Sequence, residues 1–254
     1  MPGLEIMINL KSQQEIAKME VANRIVAEVL QEVKKHIQAG IETIELDELA
    51  EEICRKHKVK PAFKGYRGFP KSLCVSINDE IVHGIPSHRR LQNGDLVSMD
   101  FGVCYDGYYG DSAITVPVGT ISPEAEKLLK VTEKSLYAGI AQARVGNRLT
   151  DISHAVQTMA EENGFSVIRD FVGHGIGRNL HEDPQIPNYG PPGQGPKLQA
   201  GMTIAIEPMV SAGSWEVKLL DDGWTAVTKD GSLSAHFEHT IAVTDKGALI
   251  LSRV

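Results

Sequence analysis

Apolar residues recur at about 3.6-residue spacing through Ile16, Met19, Val21, Ile25, Val26, Val29, Leu30 and Val33, which predicts a long amphipathic helix. Ser12 supplies a helix N-cap and Gly40 a stop. A second helix is predicted from Thr43 along ELDELAEEICRKH, acidic at its start and basic at its end as the helix dipole prefers, and ended by Lys60-Pro61. The next segment, PAFKGYRGFPKSLCVSINDEIVHGIPSHRRLQNG, is rich in Gly, Pro and aromatics and reads as loop and short strand. The polarity period then switches to two. From Asp95 to Val116, DLVSMDFGVCYDGYYGDSAITV, two strand-like runs flank Asp106-Gly107, a dipeptide suited to the positive φ angles of a tight hairpin turn.

With Asp106 and Gly107 at the centre of the turn, Asp100 pairs with Ala113, and Asp111 lies two positions away on the same face. The two carboxylates become diagonal neighbours amid Val97, Met99, Phe101, Ala113, Ile114 and Val116. A half-buried, unpaired carboxylate is protonated rather than charged, so the pair calls for a cation.

The same order then repeats. Ser122-Pro123 opens a helix over EAEKLLKVTEKSLYAGIAQARVG, and a shorter one runs from about Thr150 to Asn163. A second Gly- and Pro-rich stretch leads to a β-rich tail punctuated by Asp222-Gly223, Asp230-Gly231 and Lys246-Gly247. Gly40 lies over Gly146, Glu45 over Asp151 and Leu46 over Ile152. LQNGDLVSMD aligns with LQAGMTIAIE, and DSAITV with EHTIAV, so Asp100 corresponds to Glu207 and Asp111 to Glu238. Two helix-helix-hairpin halves facing each other about a pseudo-twofold bring four acidic side chains to one cleft.

Four carboxylates within a few ångströms cannot all ionise without counter-charge, which two divalent cations supply. Oxygen-rich ligation with one imidazole suits Mn²⁺, Fe²⁺, Co²⁺ or Zn²⁺ in an open catalytic site. Two metals about 3.5–4 Å apart turn a shared water into hydroxide near neutral pH, so hydrolysis is the expected chemistry. The candidate imidazoles are His83 in VHGIP, His174 in GHGIG, His181 in NLHED, and His236 and His239 around Glu238. His174 is the best placed, because flanking glycines allow close approach of the backbone. His239 alternates away from the face of Glu238, while His236 shares that face at the start of the strand and is given a minor role. His36, His57, His88 and His154 lie in helical or hydrophilic contexts and are expected to be solvated.

Composition narrows the partners. The 254 residues are 42% hydrophobic, enough for a full core. A net charge of -7 without a basic run argues against nucleic acid or an anionic membrane as partner. No signal peptide or spanning apolar run is visible, so a cytoplasmic location is expected. Cys54, Cys74 and Cys104 lack metal-site spacing and are expected to be reduced thiols of pocket or core.

The set GHGIG, AIEPMV, FEHT and MDFG…GDSA resembles the methionine aminopeptidases of the bacterial type, over about Lys11 to Val254. The resemblance implies an α+β pita-bread fold with pseudo-twofold duplicated halves, helices packed outside a curved antiparallel sheet. Residues 1–10 become an N-terminal extension and 11–254 a single catalytic domain with halves about 11–120 and 121–254. The implied metal ligands are Asp100, Asp111, His174, Glu207 and Glu238, which include the four carboxylates selected by the repeat. Asp111 and Glu238 would bridge two metals, Asp100 would chelate one, His174 and Glu207 would complete the other, and Glu207 would take the proton from the bridging water as it attacks the scissile carbonyl. His181 would hold that carbonyl and His83 the following amide nitrogen.

By the same resemblance Phe63, Tyr66, Phe69, Cys74, Leu180 and Trp224 wall the methionine slot. Phe63 stands where a cysteine is common and Leu180 where a phenylalanine is, an exchange that conserves volume. The implied activity is removal of the initiator methionine from nascent polypeptides with a small second residue, by a monomer docking any ribosome through its folded surface. The chain's own Met1-Pro2-Gly3 meets that rule. The alternatives are an X-Pro aminopeptidase or dipeptidase of the same fold, which usually carries a large N-terminal domain, and a non-catalytic binding module, which should show substituted ligands.

Overall fold

The structure, a computed structural model, describes residues 8–253. Most of the expected 1–10 extension, the Met1-Pro2-Gly3 start and Val254 lie outside the described residues. Helix α1 spans Gln13–Lys35, α2 Thr43–His57, α3 Pro123–Gln142 and α4 Leu149–Glu161. Ser12 caps α1 with a reciprocal Glu15 bond, and Ser122 caps α3 with Pro123 in its first turn. The α1 boundary differs from expectation, because the helix ends at Lys35 and not near Gly40. Gly40 instead adopts φ +95° in the following turn and donates its N–H to Leu91. Likewise α2 stops at His57 through left-handed Lys58, which frees Lys60–Pro61 to pair as a short strand with Val103 and Cys104.

The hairpin forms as the turn chemistry predicts. Strands Leu96–Tyr105 and Tyr108–Pro117 pair with Asp100 opposite Ala113, and Asp106 and Gly107 both take positive φ. They belong to a nine-stranded sheet among the described residues. In its path the hairpin is followed by Glu238–Thr244, Thr203–Ile206, Gly173–Gly175 and Glu182–Ile186. Every pair in it is antiparallel. One core packs α1 and α2 on the first half of the sheet through Val26, Leu30, Leu46 and Phe101; the other packs α3 and α4 on the second half through Leu128, Ile152, Ile204 and Ile241.

The duplication is written in the turns as well as the strands. Gly40 and Gly146 share a left-handed φ, +95° and +96°, and donate to Leu91 and Leu198 respectively. Glu45 and Asp151 each cap their helix by accepting the N–H three residues earlier. These equivalent bonds make the pseudo-twofold a property of the backbone, and the two halves meet where Glu238–Thr244 pairs with the hairpin strand Tyr108–Pro117. No helix among the described residues is long and apolar enough to cross a membrane.

Candidate metal centre and substrate cavity

Sheet register converges the acids. Asp100 pairs with Ala113, and Ala113 pairs with Glu238 on the next strand. His239 pairs with Ile206, so continued antiparallel pairing sets Glu207 opposite Glu238. His174 pairs with Ala205, two residues from Glu207 and on the same face. The backbone of Asp111 is fixed from both sides: its N–H donates to Asn23, fully buried on α1, and its carbonyl accepts from Thr240.

His174 sits between glycines for a steric reason. A Cβ at Gly173 would lie 2.4 Å from the Ala205 carbonyl oxygen, and one at Gly175 would lie 2.2 Å from that of Asp183. Only glycine lets the strand slot between its two neighbours.

Ligand atoms of Asp111, His174 and Glu238 lie within 4.8 Å of one another, all buried. His174 Nε2 is 3.9 Å from Asp111 Oδ2 and 3.5 Å from Glu207 Oε1. Its Nδ1–H donates to the Gly175 carbonyl at 2.8 Å, so Nε2 carries the lone pair, and burial drives the ring's pKa down to about 3, which keeps it neutral. A lone pair thus faces two carboxylates, an arrangement of acceptors without a donor.

Burial pushes Asp100 up to about 7 and Glu207 to about 8, and raises Asp111 and Glu238 well above the carboxylate range with further contributions from the other acids. Asp100 Oδ1, Asp111 Oδ1 and Glu238 Oε1 are buried without a hydrogen-bond partner. Among the described residues, none of the four acids has a lysine or arginine within 4.0 Å. Orphaned oxygens, a bare imidazole nitrogen and no cationic side chain fit a divalent-metal site of oxygen-rich character.

Above the acids opens a cavity of about 170 Å³. It is lined by Phe63, Tyr66, Phe69, Cys74, His83, Leu180, His181 and Trp224, with Asp100, Asp111, His174, Glu207 and Glu238, and not by the candidate imidazoles His236 and His239. Phe63 and Leu180 share one apolar cluster with Phe69 and Cys74. Burial keeps the Cys74 thiol protonated. The Asp222 carboxylate accepts the N–H groups of Trp224 and Thr225 and thereby sets the turn that carries the Trp224 ring. Arg67, Val82, Phe171 and Val172 complete the lining and were not foreseen.

His83 adopts φ +61° with its ring edge-on to Phe171 and Trp224, and burial lowers its pKa to about 4. Left-handed backbone at a non-glycine residue stores strain that the surroundings must hold. Gly84 next to it is compulsory, since a Cβ there would lie 2.2 Å from the Val75 carbonyl oxygen. His181 stacks on Tyr66, with Nδ1 2.9 Å from the tyrosine hydroxyl.

His239 lies off the site, bonded to Ser252 and Tyr137, and His36, His57, His88 and His154 are exposed. His236 is the histidine the sequence underrated: it is 1% exposed, with Nε2 3.6 Å from Glu207 Oε2.

The loop bearing Leu180 and His181 is pinned by a buried ion pair between Lys11 and Glu182. Glu182 also accepts the N–H of Asn179, and a Cβ at Gly177 would lie 2.3 Å from Lys11 Cε. Glu182→Ala should cost ~3–5 kcal/mol in urea unfolding, with the Lys11→Met, Glu182→Leu double variant recovering most of it. An unchanged midpoint in Glu182→Ala would show that the pair holds nothing.

The chain matches the model of metallopeptidase family M24 over residues 17–245. It is 57% identical over 248 residues to methionine aminopeptidase 1 of Bacillus subtilis and 55% identical to the methionine aminopeptidase of Clostridium perfringens, each comparison covering 98% of this chain and 100% of the relative. The crystal structure of methionine aminopeptidase from Thermotoga maritima superposes with a TM-score of 0.96 at 51% identity, over 98% of this chain and 100% of that one. The prolidase of Pyrococcus furiosus, 22% identical with a TM-score of 0.80 over 96% of this chain and 65% of that one, shares the fold. The chain therefore belongs to metallopeptidase family M24, in its methionine aminopeptidase branch and with the pita-bread fold.

Proposed function

We propose that the chain is a metal-dependent aminopeptidase that removes the initiator methionine from nascent polypeptides whose second residue is small. The observation that carries the reading is the bare Nε2 of His174 facing buried carboxylates at the floor of a cavity walled by Phe69, Leu180 and Trp224. Asp100, Asp111, His174, Glu207 and Glu238 would hold two divalent ions, Mn²⁺, Fe²⁺, Co²⁺ or Zn²⁺. When bound, such ions neutralise the acids, bring a water's pKa towards neutrality and stabilise charge on the scissile carbonyl oxygen.

The chain's own groups divide the remaining work. Glu207 accepts the proton of the attacking water and later delivers it to the leaving amine. With the Tyr66 hydroxyl donating to Nδ1, His181 keeps an Nε2–H to hold the scissile carbonyl. Neutral His83 accepts the N–H of the following peptide bond. Phe63, Tyr66, Phe69, Cys74, Leu180 and Trp224 enclose the thioether side chain, a soft group suited to aromatic walls. The acids on the floor favour a free α-amine, which an interior peptide bond lacks, so each cleavage is confined to the N-terminal residue.

In this reading residues 11–254 form one catalytic domain, acting as a monomer in the cytoplasm and meeting new chains at the ribosome through its folded surface.

Methionine release from Met-Gly-Met and Met-Leu peptides tests the reading. Release from the first should exceed that from the second by on the order of 10–200-fold. Equal rates, or preferred release of the residue before proline from X-Pro peptides, would overturn it in favour of the X-Pro peptidases.

A further inference from the structure

Three features of His236 have no place in the division of labour above. First, its backbone is clamped by one hydroxyl: the His236 N–H donates to Thr115 Oγ1 at 2.8 Å, and Thr115 Oγ1 donates to the His236 carbonyl at 2.7 Å. Because that hydroxyl has a single proton, Ser98 must be the donor in its 2.8 Å bond to Thr115. The three residues form a saturated, buried relay that fixes where the imidazole starts. Second, the side chain is dry and unpartnered at Nε2, a condition that native interiors rarely tolerate without a function. Third, the nearest charged acceptor is Glu207 Oε2 at 3.6 Å, while Glu207 Oε1 faces His174 Nε2 at 3.5 Å.

Glu207 is therefore bracketed by two imidazoles, one to each carboxylate oxygen. The roles are opposite. His174 donates its Nδ1–H to the Gly175 carbonyl and offers the Nε2 lone pair. His236, whose Nε2 lies 3.6 Å from Glu207 Oε2 with the Asp100 carboxyl also near, is the partner able to offer an N–H.

We infer that His236 is a positioning residue for Glu207: an Nε2–H directed at Oε2 across 3.6 Å attracts that oxygen and biases the plane of the carboxylate, so that Oε1 stays turned towards His174. The inference rests on the role given to Glu207 above. A carboxylate free to rotate about its last bond would spend part of its time with both oxygens on an ion or with neither, and both its ligation and its proton acceptance would suffer. Outer partners of metal-binding groups commonly change affinity or activity by ~10–100-fold when removed.

His236→Leu removes the donor and keeps the bulk, and His236→Gln restores an N–H from a side-chain amide. His236→Leu should fold, since it keeps the buried bulk and leaves the backbone bonds to Thr115 in place. Calorimetric titration with Mn²⁺ and turnover of Met-Gly-Met are measured on both variants and the wild type. His236→Leu should show a ~10–100-fold loss in Mn²⁺ affinity for one of the two sites and a comparable loss in kcat at nearly unchanged KM. His236→Gln should recover most of both.

Wild-type Mn²⁺ affinity and kcat in a folded His236→Leu would overturn the inference. So would a His236→Gln as impaired as His236→Leu, because the ring would then serve as a direct ligand or as filler. If the wild type releases no methionine, the proposed function falls, and the affinity ratio of the variants still decides the role of His236.

Discussion

Glu238→Gln is expected to lower methionine release by on the order of 10³-fold or more, and at pH 8 to make the metal-stripped protein more stable rather than less. Glu238 is 2% exposed, its Oε1 has no partner, and the neighbouring Asp111, Glu207 and Asp100 all oppose its ionisation. On the proposed ligand set its charge would hold the ions in the loaded enzyme, so a neutral amide of the same shape should remove binding and catalysis together. In the stripped protein the same charge is a buried liability, and the amide relieves it. The opposite signs separate this account from one in which Glu238 is a structural residue, since a structural role predicts loss of stability in both states. Calorimetric melting with and without chelator, beside kcat/KM for Met-Gly-Met, supplies both readings. A Glu238→Gln protein that keeps a tenth of the wild-type rate would refute the role.

Metal removal should abolish activity and change the sign of the pH response. Asp100 rises from 3.8 to about 7 and Glu207 from 4.5 to about 8 in the folded chain, in each case first through burial. A carboxyl whose pKa is higher folded than unfolded binds more protons in the native state, so stability is fully present below pH 4 and declines as pH rises towards 8. Chelated protein should therefore melt at progressively lower temperature from pH 5 to pH 8. Divalent ions replace those protons, and each ion at a hundredfold excess over its Kd should add about 2.7 kcal/mol. For a chain of this length that raises Tm by about 5–10 °C at pH 8. A melting temperature independent of chelator across this range would mean that the acids hold no ion.

The local chemistry that fixes a register was legible from residues, because Asp106-Gly107 can occupy the turn in one way and period-two alternation then dictates which side chains share a face. The same logic carried Asp100 and Asp111 across the repeat to Glu207 and Glu238. Helix ends were less legible: Gly40 and Gly146 carry a strong stop signal, yet both serve the turn after the helix, where a hydrogen bond to Leu91 or Leu198 requires the left-handed backbone. His236 was underrated because Ser234–His236 pairs with Met209–Ser211 in a separate three-stranded sheet, and alternation counted along one strand does not cross that change. Arg67 and Phe171 reach the cavity from irregular segments whose path no periodicity reports. Nothing in the spacing of Phe63 and Leu180, 117 residues apart in the chain, reports that they meet in one apolar cluster.

The most direct test of the central claim is anomalous scattering from crystals grown with Mn²⁺. The account predicts two peaks about 3.5–4 Å apart, placed between Asp111 and Glu238, with Asp100 beside one and His174 and Glu207 beside the other. A map with no peak among these five residues, or with the acids drawn onto lysine or arginine instead, would contradict it.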